Sequence, residues 1–300
     1  MIVITGATGH TGKPAAEALL AKGEKVRAIG RRAINLDPLT QKGAEPFFGN
    51  VEDAAMMTKA FEGASAVFLV VPAALQMEDL LAYYERVSDV YATAITNARV
   101  PYAVTVSSVG AQHAKGTGPI LGLHNMEQKL NRISGLNVLH LRPAQFMVNL
   151  LMNVGALRSM GILPGPVPEG VPMPWIATKD IGEYAAERLR ARNFSGSSTQ
   201  ELLGPREYTA KEVATILGKA IGKPDLEYMQ APLAAIESAL VATGMPKSSA
   251  ALLIEMMEGG GKGLLNPQEP RSAKNTTPTT LEWFASEVFA PAFSRKTASA

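Results

Sequence analysis

Three glycines at three-residue intervals, Gly6, Gly9 and Gly12, are the residues of this chain whose spacing most directly implies chemistry. They follow a short apolar run, Ile2-Val3-Ile4, and precede a stretch at 13–22 with Pro14 near its start and Gly23 just past its end. The apolar run reads as a strand buried on both faces of a parallel sheet. Proline just inside the start and glycine just past the stop read as a helix. Strand, glycine turn and helix in that order make an anion site, because the amides of a first helical turn lack intrahelical acceptors and carry partial positive charge. Gly6 permits the tight turn, Gly9 lets the backbone approach a pyrophosphate, and Gly12 lets helix and strand pack closely. Thr8, His10 and Thr11 complete the turn, and the expected ligand is a dinucleotide.

A second chemical signal stands where the next strand, 26–29, ends. Gly30-Arg31-Arg32 carries no acid before Asp37. A carboxylate at that position would bind the ribose 2′-hydroxyl of NAD, whereas arginine accommodates a 2′-phosphate, which guanidinium suits by charge and fork geometry. NADP is therefore the expected cofactor and NAD the possible one; the alternative reading of Arg31 and Arg32 is a pair of solvated surface residues. Ligands of such folds bind outside the carboxyl ends of the strands. That rule places Asn50 and Val51 beside the adenine, Val71 and Pro72 beside the ribose, and Ser107 under the nicotinamide. Each of these is also compatible with ordinary loop structure.

The elements that must hold these residues alternate. Strands are expected at 45–48, 66–71, 102–106 and 138–141, and helices at 54–61, 77–97 and 123–133. This is the pattern of an α/β fold with a doubly wound, parallel, Rossmann-type sheet. Past Pro143 the rhythm changes. Residues 146–160 read as helical, and 162–174, crowded with proline and glycine, as a surface loop that shapes a site. Helices follow at 178–190, from Thr209 with Glu212 as a capping box, at 233–243, 247–257 and 280–289. A short strand is expected at 201–204 and a strand piece at 229–231. Gly259-Gly260-Gly261 reads as a flexible break. The expected organisation is a cofactor-binding domain at 1–145, a smaller, mostly helical substrate subdomain at 146–293 interleaved with it, and a disordered tail at 294–300.

Composition narrows the class. The 300 residues are 46% hydrophobic and 19% charged, with a net charge of +2, which suits a soluble globular chain without a nucleic-acid partner. The absence of cysteine removes disulfides, thiolate metal sites and cysteine nucleophiles. The four histidines lack metal-ligand spacing, and no apolar run is long enough to span a membrane. With a strand at 2–4 there is no room for a cleaved leader, so cytoplasm is the expected compartment. The expected assembly is a monomer or homodimer.

The run Thr5-Gly-Ala-Thr-Gly-His-Thr-Gly12 resembles the extended and atypical short-chain dehydrogenase/reductases, and the NmrA-like branch in particular. Gly49-Asn50, Pro72, Ser107-Ser108, Leu141-Arg142-Pro143 and Pro278-Thr-Thr-Leu-Glu-Trp-Phe284 follow in the order of that family, so the likeness extends over most of the chain. It implies an NAD(P)H-dependent oxidoreductase. The usual Tyr-x-x-x-Lys pair of the superfamily is missing, for no tyrosine lies between Tyr102 and Tyr184. The nearest pattern is Asn125-x-x-x-Lys129, and alignment on Glu127, Gly135 and Leu141-Arg142-Pro143 puts Leu123 where the family often has lysine. The catalytic candidates are His124, Ser108 and Lys129. Histidine as a residue type can donate or accept, but His124 also reads as a structural or exposed residue, and Lys129 as a solvated one. A flat apolar pocket lined by Pro72, Phe146, Met147, Asn149, Met173 and Trp175 would suit an aromatic or quinone ring. The likeness implies reduction of a quinone or related aromatic compound, including tailoring of an aromatic secondary metabolite. The alternative is a non-enzymatic NAD(P)-binding redox sensor that acts through protein partners.

Overall fold

The computed structural model describes residues 1–295. Its first half alternates strictly: β1 (Ile2–Ile4), α1 (Gly12–Ala21), β2 (Val26–Gly30), α2 (Ala33–Thr40), β3 (Glu45–Phe48), α3 (Ala54–Phe61), β4 (Ala66–Leu69), α4 (Leu80–Ala98), β5 (Tyr102–Val106), α5 (Ile120–Leu130) and β6 (Asn137–Pro143). Then come β7 (Gln145–Phe146), a 3-10 helix at Met147–Asn153, α6 (Val154–Met160), β8 (Ile162–Gly165), β9 (Pro172–Ile176), α7 (Thr178–Ala191), β10 (Ser197–Leu202), β11 (Glu207–Thr209), α8 (Ala210–Ala220), β12 (Glu227–Gln230), α9 (Leu233–Ala242) and α10 (Lys247–Gly261). A last helical run covers Leu281–Phe284, a π-helical turn Ala285–Phe289, and Ala290–Ser294. Among the described residues no helix is long and apolar enough to cross a membrane.

The main sheet has the order β3-β2-β1-β4-β5-β6-β10. Every neighbouring pair from β3 to β6 is parallel. β1 and β4 are buried at every position, as continuous apolar runs covered on both faces must be. Strand order reverses direction between β1 and β4, which makes their carboxyl ends the topological switch point of the sheet.

The chain forms two compact units. The first comprises Met1–Pro143, Lys179–Glu201 and Met245–Pro267; the second comprises Ala144–Thr178, Leu202–Gly244 and Gln268–Ala300. Within the expected interleaved subdomain 146–293, the segments 179–201 and 245–267 lie in the first unit. The two returning segments pack on the first unit through backbone. A Cβ on Gly182 of α7 would lie 2.5 Å from Thr11 O and 2.8 Å from Ala15 N. A Cβ on Gly259 of α10 would overlap Gly116 O, and one on Gly118 would overlap Leu252 O. The second unit has its own core, in which Met147, Leu157, Trp175, Tyr208, Leu217 and Phe289 are buried together.

Other local expectations are also revised. The loop expected at 162–174 contains β8 and β9, which are paired by β12 and β11. The helix expected across 146–160 begins as a 3-10 turn. α2 carries Pro38 within it and gives no periodic signal. The glycine run at 259–261 does not break α10, which continues to Gly261. Of the tail expected at 294–300, Ser294 closes a helix, and 296–300 lie outside the described residues.

The contact at Gly259 reverses the usual sign of a helix substitution. Alanine in place of a helical glycine ordinarily stabilises by about 1 kcal/mol. Here the added methyl meets a backbone carbonyl that cannot rotate away, and overpacking of that kind costs about 1–3 kcal/mol. Gly259→Ala is expected to lower the urea midpoint, and a raised midpoint would show that α10 stands off the 116–118 segment.

Candidate functional site

The crevice at the switch point is built from hydroxyl and glycine contacts. Thr5, the first residue past β1, donates its hydroxyl to Phe68 O at 3.0 Å and accepts the Val70 N–H at 2.8 Å. The Tyr91 hydroxyl donates to Val70 O at 2.8 Å. The ends of β1 and β4 are thereby tied together. The chain turns at Gly6, whose φ of +59° disfavours any side chain, and a Cβ there would press on the Val70 side chain at 3.2 Å. The Gly9 N–H closes the turn on Gly6 O at 2.9 Å. A Cβ on Gly12 would overlap the same carbonyl, so α1 starts directly against the turn.

This cradle leaves donors free. Among the described residues, the amides of Thr8, His10 and Thr11 donate to no backbone carbonyl. Thr8, Gly9 and His10 are exposed. The first turn of α1 holds no acid, and its N-cap Thr11 makes no side-chain cap. Orphan amides at a helix N-terminus, without a carboxylate to neutralise them, fit the pyrophosphate of a dinucleotide. Arg31 and Arg32 are exposed just past β2, and among the described residues neither guanidinium forms an ion pair or hydrogen bond. Asn50 is exposed and accepts the Glu52 N–H at 3.3 Å, Val51 and Pro72 are half-buried, and Val71 is buried at the end of the β4 segment.

Past β5 lies a buried polar cluster. The Ser107 hydroxyl donates to Glu127 Oε1 at 2.5 Å. The Arg142 guanidinium grips the same carboxylate with Nε on Oε1 at 3.0 Å and Nη2 on Oε2 at 2.6 Å. Glu127 is 1% exposed and Ser107 2%. Two-pronged arginine contact is the strong, geometrically specific form of such a pair. A carboxylate that takes both prongs only accepts, so the Ser107 proton is committed to Glu127. Ser107 can offer a ligand lone pairs but no proton. In the sequence Glu127 serves only as an alignment mark. The signal for its role is an acid on the buried face of α5, between Met126 and Leu130, and an arginine at the end of the buried strand β6.

The catalytic candidates are placed separately. Nδ1 of half-buried His124 lies 2.8 Å from Ala111 O. A carbonyl only accepts, so Nδ1 carries the proton and Nε2 of the neutral ring is left as an acceptor. The Ser108 hydroxyl donates to Val109 O at 2.8 Å. Lys129 bonds Glu85 at 2.6 Å and also Asp89, both on α4. These contacts join α5 to α4. In the second unit Phe146 and Met173 are half-buried and Asn149 is exposed. Trp175 is 4% exposed within the core, and Met147 is fully buried.

Behind the cluster, His140 of β6 bridges Thr105 Oγ1 through Nδ1 at 2.8 Å and Asn131 Oδ1 through Nε2 at 2.9 Å. Burial drives its pKa down from 6.5 to about 4, with Glu127 opposing and Arg142 assisting. The unfolded chain therefore takes up a proton between pH 6.5 and about 4 that the folded chain refuses. Stability is complete above pH 6.5 and falls as pH falls through that window, by about 3 kcal/mol for this one group. His140→Gln removes the titration. The stability gap between wild type and variant, read from urea midpoints at pH 7.5 and 4.5, is expected to narrow on acidification; a constant gap would refute the assignment.

Comparison with known proteins agrees with this architecture. NAD(P)H azoreductase of Xenophilus azovorans is 27% identical over 259 residues, covering 85% of this chain and 86% of its own. The (4-alkanoyl-5-oxo-2,5-dihydrofuran-3-yl)methyl phosphate reductase of Streptomyces griseus is 28% identical over 295 residues, covering 97% of this chain and all of its own. Quinone oxidoreductase 2 of Escherichia coli is 26% identical over 270 residues, covering 88% of this chain and 89% of its own. A crystal structure of NADPH-dependent quinone oxidoreductase from that species with NADPH aligns over 96% of this chain and 100% of its own, with a TM-score of 0.79 and 24% identity. The NmrA-like family matches residues 1–285, and the chain belongs to that family.

Proposed function

We propose that this protein is an NAD(P)H-dependent reductase, with NADPH preferred, acting on a quinone or related conjugated aromatic compound. The observation that carries the reading is the cradle at Gly6–Gly12, with free amides and no acid, followed by two unpaired arginines where β2 ends. A bound dihydronicotinamide supplies a hydride, which with one proton converts a quinone to a hydroquinone. The azo, quinone and oxo-dihydrofuran groups in the names of the relatives are all conjugated, electron-poor systems suited to accept hydride.

The residues of the chain then do three things. The turn amides and arginines bind and orient the cofactor, which supplies proximity, a large part of the rate for such a transfer. Ser107, locked by Glu127 and Arg142, accepts a hydrogen bond and gives none. His124, with Nδ1 held by Ala111 O, presents Nε2 of the neutral ring as an acceptor. Phe146, Asn149 and Met173 are the proposed substrate contacts of the second unit. No tyrosine acid is required, because a quinone reduced by hydride leaves an oxyanion that water can protonate.

The test is oxidation of NADPH by a panel of benzoquinones, naphthoquinones and azo dyes. Turnover with at least one, retained within a few-fold in Lys129→Ala, is expected. Tight NADPH binding without turnover of any acceptor would favour a sensor that works through protein partners. In binding titrations, replacing both Arg31 and Arg32 with alanine is expected to weaken NADPH about tenfold or more and to leave NADH nearly unchanged, since a charge-assisted contact contributes about 1.5–3 kcal/mol. Equal losses would assign the arginines to the fold.

A further inference from the structure

Beside the glycine turn an open cavity of ≈ 400 Å³ runs toward α2. Its polar lining is Thr8, Lys13 and Asn35, over an apolar floor of Ile34, Pro38 and Leu39. These three polar side chains can all donate, no acid lines the cavity, and among the described residues none of the three has a hydrogen-bond or ion-pair partner within the protein.

Lys13 is the anomaly. It lies in the first turn of α1, next to Gly12. A cation there works against the positive end of the helix dipole, at a cost of about 0.3–1 kcal/mol. The acid within i,i+4 reach is Glu17, one turn on, although lysine N-terminal to glutamate is the weaker orientation of such a pair. Glu17 is instead bound to Lys42 at 2.7 Å. An exposed ammonium with no acid beside it, on a cavity lined by donors at the positive end of a helix, is free to meet an anion.

We infer that Lys13, with Thr8 and Asn35, forms the wall that takes the 2′-phosphate of the cofactor, and that Lys13 sets the NADPH preference together with Arg31 and Arg32. The inference rests on the dinucleotide reading above and deepens it. The pyrophosphate is common to NADH and NADPH and is served by the turn amides. The extra phosphate is a dianion that needs cations of its own, and the cavity lies between the turn and the helix that follows Arg32.

Calorimetric titration of the full chain decides the matter, with NADPH, NADH, adenosine 2′,5′-bisphosphate and adenosine 5′-monophosphate as probes. Lys13→Met keeps the stem and removes the charge. It is expected to weaken NADPH and the bisphosphate about tenfold, to leave NADH and the monophosphate within twofold, and not to lower the thermal midpoint of the unliganded protein. Lys13→Arg is expected to restore most of the loss. An equal loss for NADPH and NADH would place Lys13 on the pyrophosphate and overturn the inference. So would an unchanged NADPH affinity while the Arg31, Arg32 double variant loses it, which leaves the reductase reading intact. Failure of the wild type to bind any of the four probes would overturn the dinucleotide reading itself.

Discussion

Backbone lying directly on backbone at the start of α1 is the constraint on which the rest of the site depends. Gly12 rests on the Gly6 carbonyl and Gly182 of α7 on Thr11 O. Neither contact tolerates a methyl group. The first turn of α1 is therefore pinned between the glycine turn and a helix from much later in the chain, and its free amides point in a direction set by main chain alone. Thr5 adds the third restraint by fastening β1 to β4. Pre-organised donors need not be reordered when an anion binds, and that lowers the entropic cost of binding.

Beneath the carboxyl ends of β5 and β6, polar groups replace the usual apolar filling. Glu127 and Arg142 satisfy each other, Ser107 completes the carboxylate, and His140 spans Thr105 and Asn131. A buried pair of this kind adds little net stability over an apolar substitute, but removal of one partner is costly. Its effect is directional: it fixes which atoms of Ser107 are free. A committed serine, and a lysine tied to a neighbouring helix, are poorly placed to deliver protons.

The parts of the fold legible in the sequence are those encoded by neighbours. Ile2-Val3-Ile4 followed by Gly6, Gly9 and Gly12 specifies strand, turn and helix locally, and the same holds for the capping box at Thr209 and Glu212, which is formed here. What was illegible depends on partners far along the chain. Residues 259–261 read as a break because helix propensity counts glycine as weak, yet the helix continues where glycine is the residue that fits against Gly116. Trp175 and Phe146 look alike as pocket walls, and only tertiary packing puts the first into the core. Lys129 and Glu127 lie two residues apart on one helix, so composition could not tell which faces the sheet and which reaches α4. The proline-rich stretch at 162–174 pairs with strands beyond residue 200, a register no local window contains.

The meeting of α10 with the 110–118 segment also bears on how the molecule breathes. A helix that ends in three glycines has little tendency to persist alone, and a loop with glycines at 110, 116 and 118 has little tendency to hold one shape. Each is ordered by the other. Two weak partners that fasten as a pair are expected to open as a pair, so that hydrogen exchange would read the loop and the last turns of α10 as one cooperative unit. Ala111, whose carbonyl holds the His124 ring, belongs to that unit. The orientation of the histidine is thereby tied to a helix much later in the chain, and deuterium uptake at the two segments is expected to rise and fall in step.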